Sequence, residues 1–310
     1  MAGQDPFYDY VSLLVPMSGA NGSTAFADFS PTPVAVSRVG SPIIYTAASL
    51  RGDGAGWFDG SGSTLIVPAS VFNFGTQPFS IEFRVNISSP ASVSYPYMMA
   101  ASPWNSGSGF YCVVYGAGTG WGGAGTMEFS GATTLANRMV LTSTNAIRGT
   151  GWHDIEMARD GAISRLFVDG VMEAEHIAAG VANMAADFAV IMRATPTTTD
   201  SEKGYMQDLR VTIGAVRHWA DFTPDQQPLV THQYPDRRLA TAPLSGNVVM
   251  QDGSIPDLTV VRHADTRTLA AKIAPDVSGN WSVDVPPGTY DVTSFKAGCA
   301  PYCQGYYTVT

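Results

Sequence analysis

Two acids two residues apart, Asp154 and Glu156 in GWHDIEMARD, have the types and spacing of a hydrolytic pair. Side chains at i and i+2 of a strand leave one face roughly 6.5 Å apart at the backbone, near the about 5 to 5.5 Å that a retaining glycosidase sets between its carboxyls. The next positions on that face, Trp152 and Ala158, add no third acid, so the pair reads as a solvated strand face. Glu82 stands between Ser80 and Arg84, a cross-strand charge arrangement and no acid pair. The five histidines, His153, His176, His218, His232 and His263, lack the i,i+4 or clustered spacing of metal ligands. A nucleophile motif of the Gly-x-Ser-x-Gly kind survives only as the fragment Gly107-Ser108-Gly109, with no helix to follow. GAGTGWGGAG, residues 116–125, is rich in glycine but lacks the lysine and the helix of a phosphate loop. No catalytic residue, metal site or cofactor is therefore expected.

Binding fits the residues better. Trp104, Tyr111, Tyr115 and Trp121 lie in or beside Gly- and Ser-rich loops, and exposed aromatic rings there can stack on sugar rings. The competing reading is that they cap the edge of a sandwich or fill a subunit interface. Tyr302, Tyr306 and Tyr307 near the C-terminus form a second aromatic cluster, read as an assembly contact. Of three cysteines, Cys112 in FYCVVY is read as a buried, inert thiol. Cys299 and Cys303, in GCAPYCQG, either close a small local disulfide or stay reduced, and too few soft ligands stand near them for zinc.

Short strands must position these residues. In NFGTQPFSIEFRVN, Phe79, Ile81, Phe83 and Val85 alternate with Ser80, Glu82 and Arg84, and Ile155 and Met157 alternate with Asp154 and Glu156. That period of two marks half-buried antiparallel strands. Asp160-Gly161 and Asp169-Gly170 are hairpin turns between strand-like runs. In GYMQDLRVTI the apolar residues lose strict alternation, which predicts a bulge near Asp208. No amphipathic helix of three turns is evident. Four prolines and weak periodicity in 224–243 read as a linker, after which SGNVVM, LTVVRH, NWSVDV and TYDVTSF resume the strand pattern.

Composition narrows the function. With 32 Gly, 20 Pro and 14% charged residues, the chain has the make-up of a many-turned all-β protein. A net charge of −9 argues against a nucleic-acid partner. The N-terminus carries no basic-plus-apolar leader and no apolar run approaches the about 20 residues of a membrane span, so synthesis in the cytoplasm without membrane insertion is expected.

Residues 5 to about 227 resemble the concanavalin A-like, laminin-G-type jelly-roll domains of tailed-phage virion proteins. DPFYDYVSLLVPMSGANGST, FNFGTQPFSIEFRV, GWHDIEMARDGAISRLFVDG and the closing GYMQDLRVTIGAVRHWADFTP carry the resemblance. Residues 244–310 resemble the carboxypeptidase-regulatory or transthyretin-like module, through LSGNVVMQDG and SGNWSVDVPPGTYDVTSF. VPMSG departs from the family, standing where many members have a His-Phe-Asp-Gly turn. The resemblance implies an all-β fold: a large antiparallel jelly-roll sandwich over 1–227, a linker at 228–243 and a small Ig- or transthyretin-like sandwich over 244–310. It further implies a non-enzymatic virion protein, made in the bacterial host cytoplasm and assembled as a homo-oligomer with other virion proteins. A tail-fibre or tail-tip component attaching to host-surface glycans is the first expectation, and a capsid decoration protein that holds the head together is the alternative. A polysaccharide hydrolase is the third and is disfavoured, since such sandwich hydrolases align three alternating acids on one strand.

Overall fold

The computed structural model describes residues 5, 7–51, 54–88, 95–101, 109–116, 123–131, 139–197, 200–224, 242–247, 257–263, 269–285, 288–295 and 302–309. The chain forms two compact units, Met1–His232 and Gln233–Thr310. Most of the expected linker lies outside the described residues; Ala242 and Pro243 open a strand.

In the first unit the strands run β1 Val11–Val15, β2 Ser37–Val39, β3 Ile43–Tyr45, β4 Ala55–Asp59 and β5 Thr64–Val67. They continue with β6 Phe79–Ile87, β7 Tyr97–Ala100, β8 Phe110–Val114, β9 Thr126–Gly131 and β10 Met139–Ala146. Then come β11 Trp152–Asp160, β12 Ile163–Val168, β13 Val171–Ile177, β14 Ala189–Ile191 and β15 Lys203–Ile213. The helical turns among the described residues are three short 3-10 segments. One sheet has the order β13-β12-β11-β6-β15-β4-β3, with β1 also on β15, and the other β10-β9-β8-β7-β14-β5-β2. All these pairings are antiparallel. The unit is the expected jelly-roll sandwich.

Alternation builds the core. Phe79, Ile81, Phe83 and Val85 of β6 and Ile155 and Met157 of β11 meet Phe110, Cys112 and Val114 of β8 and Phe129 of β9 in one buried cluster. Phe74 stacks on Phe79 at 3.8 Å and Phe110 on Phe129 at 5.0 Å. Cys112 is a buried free thiol there, its pKa pushed up by burial and then by Glu128 and Glu202. The Asp169-Gly170 turn has positive φ at both residues, 53° and 80°, the geometry a two-residue hairpin turn of type I′ demands. The bulge also forms: pairing of β15 with β6 shifts between Gln207 and Arg210, and Asp208 takes φ 54°.

The second unit has strands β16 Ala242–Asn247, β17 Leu258–His263, β18 Leu269–Ile273, β19 Asn280–Val285, β20 Gly288–Phe295 and β21 Tyr302–Val309. β16 pairs with β19, and the other four form a sheet in the order β18-β17-β20-β21. Leu244, Val261, Trp281, Tyr290 and Val292 make its core. Cys299 and the side chains of Cys303, Tyr302, Tyr306 and Tyr307 lie outside the described residues.

Candidate functional site

The outer face of the eight-stranded sheet is laid out in rows, because register brings one residue from each strand into line. The first row is Trp152 of β11, Asn86 of β6, Tyr205 of β15, Trp57 of β4 and Ile43 of β3, each paired with the next. Tyr45 joins it from β3. Trp152, Asn86, Tyr205 and Trp57 are half-buried and Tyr45 is exposed. Tyr205 lies 6.4 Å from Trp152, 4.6 Å from Trp57 and 5.9 Å from Tyr45, ring centre to ring centre. The exposed Lys203 ammonium sits 5.9 Å from the Trp57 ring. The carboxamide of Asn86 makes no hydrogen bond with any described residue, so a strip of aromatic faces carries one open donor–acceptor group between Trp152 and Tyr205.

Behind it runs a second row, Asp154, Arg84 and Gln207, whose polar side chains are engaged with one another or with residues 49–51 and Asp208. Arg51 grips both oxygens of Asp154, at 3.1 and 2.8 Å, and Arg84 donates to Asp154 at 2.7 Å and to Asp208 in the bulge. Gln207 accepts from the backbone N–H groups of Leu50 and Arg51 at 3.2 and 3.3 Å. These bonds clamp the chain around Arg51 beside the aromatic row.

The third row is Glu156, Glu82 and Arg210. Here the sequence reading is corrected twice. Asp154 and Glu156 are not a solvated face: the Glu156 side chain is 2% exposed and that of Asp154 19%. Glu82 also does belong to an acid pair, since it stands directly opposite Glu156. The donors are in place. Arg210 holds both Glu82 oxygens at 2.7 and 2.8 Å, Arg217 reaches Glu82 at 3.1 Å, and both arginines bind Asp5. Glu156 accepts from the His218 ring at 2.5 Å and from its backbone N–H at 3.2 Å. His218 stacks on Phe222 at 3.7 Å, and Val216, Trp219 and Phe222 pack with Ala158 and Phe167.

Environment drives the two acids apart. Burial and then the Glu82 charge raise Glu156 above the usual carboxylate range, and its bonds to His218 only partly offset this. Burial acts on Glu82 as well, but Arg210 and Arg217 outweigh it and hold the group low. His218 is raised because its partner Glu156 outweighs the effect of burial. Glu82, Glu156 and His218 offer ligand atoms within 4.8 Å of one another. The set nonetheless fits a cation poorly, since two guanidinium groups already occupy Glu82 and compensate the acids. Neither assembly is legible by spacing, for its members are scattered from Asp5 to His218.

The rings named from the sequence fare differently. Trp104 and Trp121 lie outside the described residues. Tyr111 and Tyr115 are 8% and 4% exposed, which corrects the expectation of open, loop-borne rings. Alternation is the reason: Phe110, Cys112 and Val114 of β8 take the core face, so Tyr111, Val113 and Tyr115 take the other, where Val190 and Ala100 pack on them. Both tyrosine hydroxyls donate to the buried Glu128, at 3.0 and 2.5 Å. The aromatic row on the other sheet was missed because Trp57, Trp152 and Tyr205 each look like one more apolar strand residue until register aligns them.

Against known proteins, the family model described as the concanavalin A-like lectin/glucanases superfamily matches residues 59–217. No curated protein sequence matches the chain. Among solved structures, the botulinum neurotoxin serotype D/C VPI 5993 binding domain is 11% identical with a TM-score of 0.50, covering 96% of this chain and 74% of that one. The HCR/D W1238A mutant is 10% identical with a TM-score of 0.51, covering 96% and 76%. Domain 4 of AbnA, a GH43 extracellular arabinanase from Geobacillus stearothermophilus solved with arabinotriose, is 14% identical with a TM-score of 0.48, covering 67% and 94%. At such identities the likeness to these structures is one of fold. The family match spans just over half of the sequence, and the chain belongs to the concanavalin A-like lectin/glucanases superfamily.

Proposed function

We propose that this protein is a non-enzymatic, glycan-binding structural component of a tailed-phage virion, placed at the tail fibre or tail tip and attaching to host-surface glycans. The observation that carries the binding part is the half-open aromatic row of Trp152, Tyr205, Trp57 and Tyr45 on a rigid sheet. Aromatic faces shed little hydration and meet the apolar C–H faces of sugar rings, and strands hold such faces more firmly than loops do. The superfamily supports the same reading, as does the description of the botulinum neurotoxin relative as a binding domain. The virion placement rests on the motifs shared with tailed-phage domains, with the C-terminal unit as an appended transthyretin-like module and a homo-oligomer as the assembly. The absence of catalysis is inferred from the acid pair: Glu156 is buried, and its oxygens and those of Glu82 already accept from His218, Arg210 and Arg217.

The test applies the intact protein to an array of bacterial surface polysaccharides beside the Trp57→Ala and Trp152→Ala variants, with thermal melts as the folding control. Retention by the native chain and at least tenfold loss in both folded variants is the expected result; undiminished retention in both overturns the assignment. Gold-labelled antibody on intact particles should decorate the tail, and decoration of the head alone defeats the attachment role. Release of reducing ends from a retained polysaccharide, abolished in Glu156→Gln, would overturn the non-enzymatic reading.

A further inference from the structure

We propose that the aromatic row takes an internal stretch of a single, neutral, linear glycan laid across the strands, with Asn86 hydrogen-bonding the sugar between Trp152 and Tyr205. This deepens the glycan-binding reading above and rests on it. The length of the row comes first. Trp152 and Trp57 stand on β11 and β4, with their backbones three strand steps apart, and their rings lean toward Tyr205, so that the ring centres advance by 6.4 Å and then 4.6 Å, about 11 Å along the row. That is more than one pyranose can cover. The rings are also spaced for a chain, since steps of 6.4 Å and 4.6 Å from Trp152 to Tyr205 to Trp57 are each close to the advance of one sugar unit.

Orientation then narrows the class. Successive rings are tilted by 38° and 44°, so they share no plane. Sheet twist turns each strand against its neighbour and any row of side chains with it. A flat crystalline fibre face would touch one ring and lose the others, whereas one soluble chain can twist along the row. Charge narrows it again. Arg51 and Arg84, the guanidinium groups beside the row, are engaged with Asp154 and Asp208, and Lys203 stands opposite Asp59 at the row's end. The row therefore offers no uncompensated cluster of cations to a polyanionic chain. Asn86 supplies the polar contact: its carboxamide has two donors and an acceptor, no partner among the described residues, and an aromatic ring on either side.

Calorimetric titration of the full chain with neutral gluco-, manno-, galacto- and xylo-oligosaccharides of one to six units tests this, with dextran sulfate as the acidic probe. In at least one series affinity should climb at least tenfold from one to four units and then level off. Asn86→Ala should weaken the four-unit ligand about tenfold with an unchanged melting temperature, and Trp152→Ala should lower the length at which affinity levels off. Monosaccharide binding as tight as that of the tetramer, tighter binding of dextran sulfate, or an unaltered Asn86→Ala each overturns the proposal while leaving glycan binding in place. No binding to any oligomer or to any arrayed polysaccharide overturns both readings together.

Discussion

Glu82 and Glu156 face each other as paired residues of β6 and β11, two carboxylates on one covered stretch of sheet. Like charges directly opposite are destabilising, so the pair survives through its cations. Arg210 binds both oxygens of Glu82, and removing one member of a buried ion network leaves an uncompensated charge. Arg210→Met should therefore lower unfolding free energy by about 3 kcal/mol or more in denaturant titration. Adding Glu82→Gln to that variant should restore part of the loss. A double variant less stable than the single one would mean that Glu82 is held by something other than Arg210.

His218 gives the network a pH signature. Its folded pKa lies above the ordinary 6.5, so the charged ring is favoured in the fold. That stabilisation is complete below pH 6.5 and is lost as pH rises through the raised value. Glu156, also raised, works in the same direction from its ordinary 4.5 upward, while Glu82, held low, loses its contribution only as pH falls through its lowered value. The groups facing the ring are Glu156, Glu82 and Arg210. Thermal midpoints measured upward from pH 6.5 should fall in the native chain and fall less steeply in His218→Gln. Parallel curves would exclude the His218–Glu156 bond as the cause.

Strands were legible in the sequence wherever one residue decides its own face. The alternation of 79–86 and 152–158, the Asp169-Gly170 turn, the Asp208 bulge and buried Cys112 all follow from local pattern, and all are found. What spacing cannot reveal is register between distant strands. Trp57 and Tyr205 meet across 148 positions of sequence, and Glu156 finds His218 across 62. Aromatic residues in glycine-rich loops draw attention through their surroundings, whereas a tryptophan inside a strand looks like core. Tyr111 shows the reverse error, for a strand next to a loop still alternates.

Tyr111 and Tyr115 should accordingly behave as structural residues. Each hydroxyl donates to Glu128, a buried carboxylate, and losing one such bond costs about 1 to 3 kcal/mol. Tyr111→Phe and Tyr115→Phe should lower stability within that range and leave glycan affinity within about twofold, on the scale where 1.4 kcal/mol is tenfold. Titrating the same oligosaccharides into both variants checks this. Weaker binding at unchanged stability would return the outer face of β8 to the list of ligand surfaces.

Gly170 is where the β12–β13 turn meets the segment that covers the acid pair. It has φ 80°, and a Cβ there would lie 1.9 Å from the Phe222 carbonyl oxygen, in backbone that cannot turn aside. The Phe222 N–H also donates to the Gly170 carbonyl at 2.8 Å, so the contact is closed from both sides. Gly161, in the preceding turn, has φ 59° with nothing within 4 Å of its would-be Cβ. Gly161→Ala should then cost only the conformational term, about 1 kcal/mol. Gly170→Ala adds a steric clash and should cost clearly more, with loss of hydrogen-exchange protection at Phe222 and the neighbouring His218. Equal costs for the two substitutions, with Phe222 still protected, would mean that the covering segment is held by Glu156, Asp5 and their partners and owes nothing to the turn.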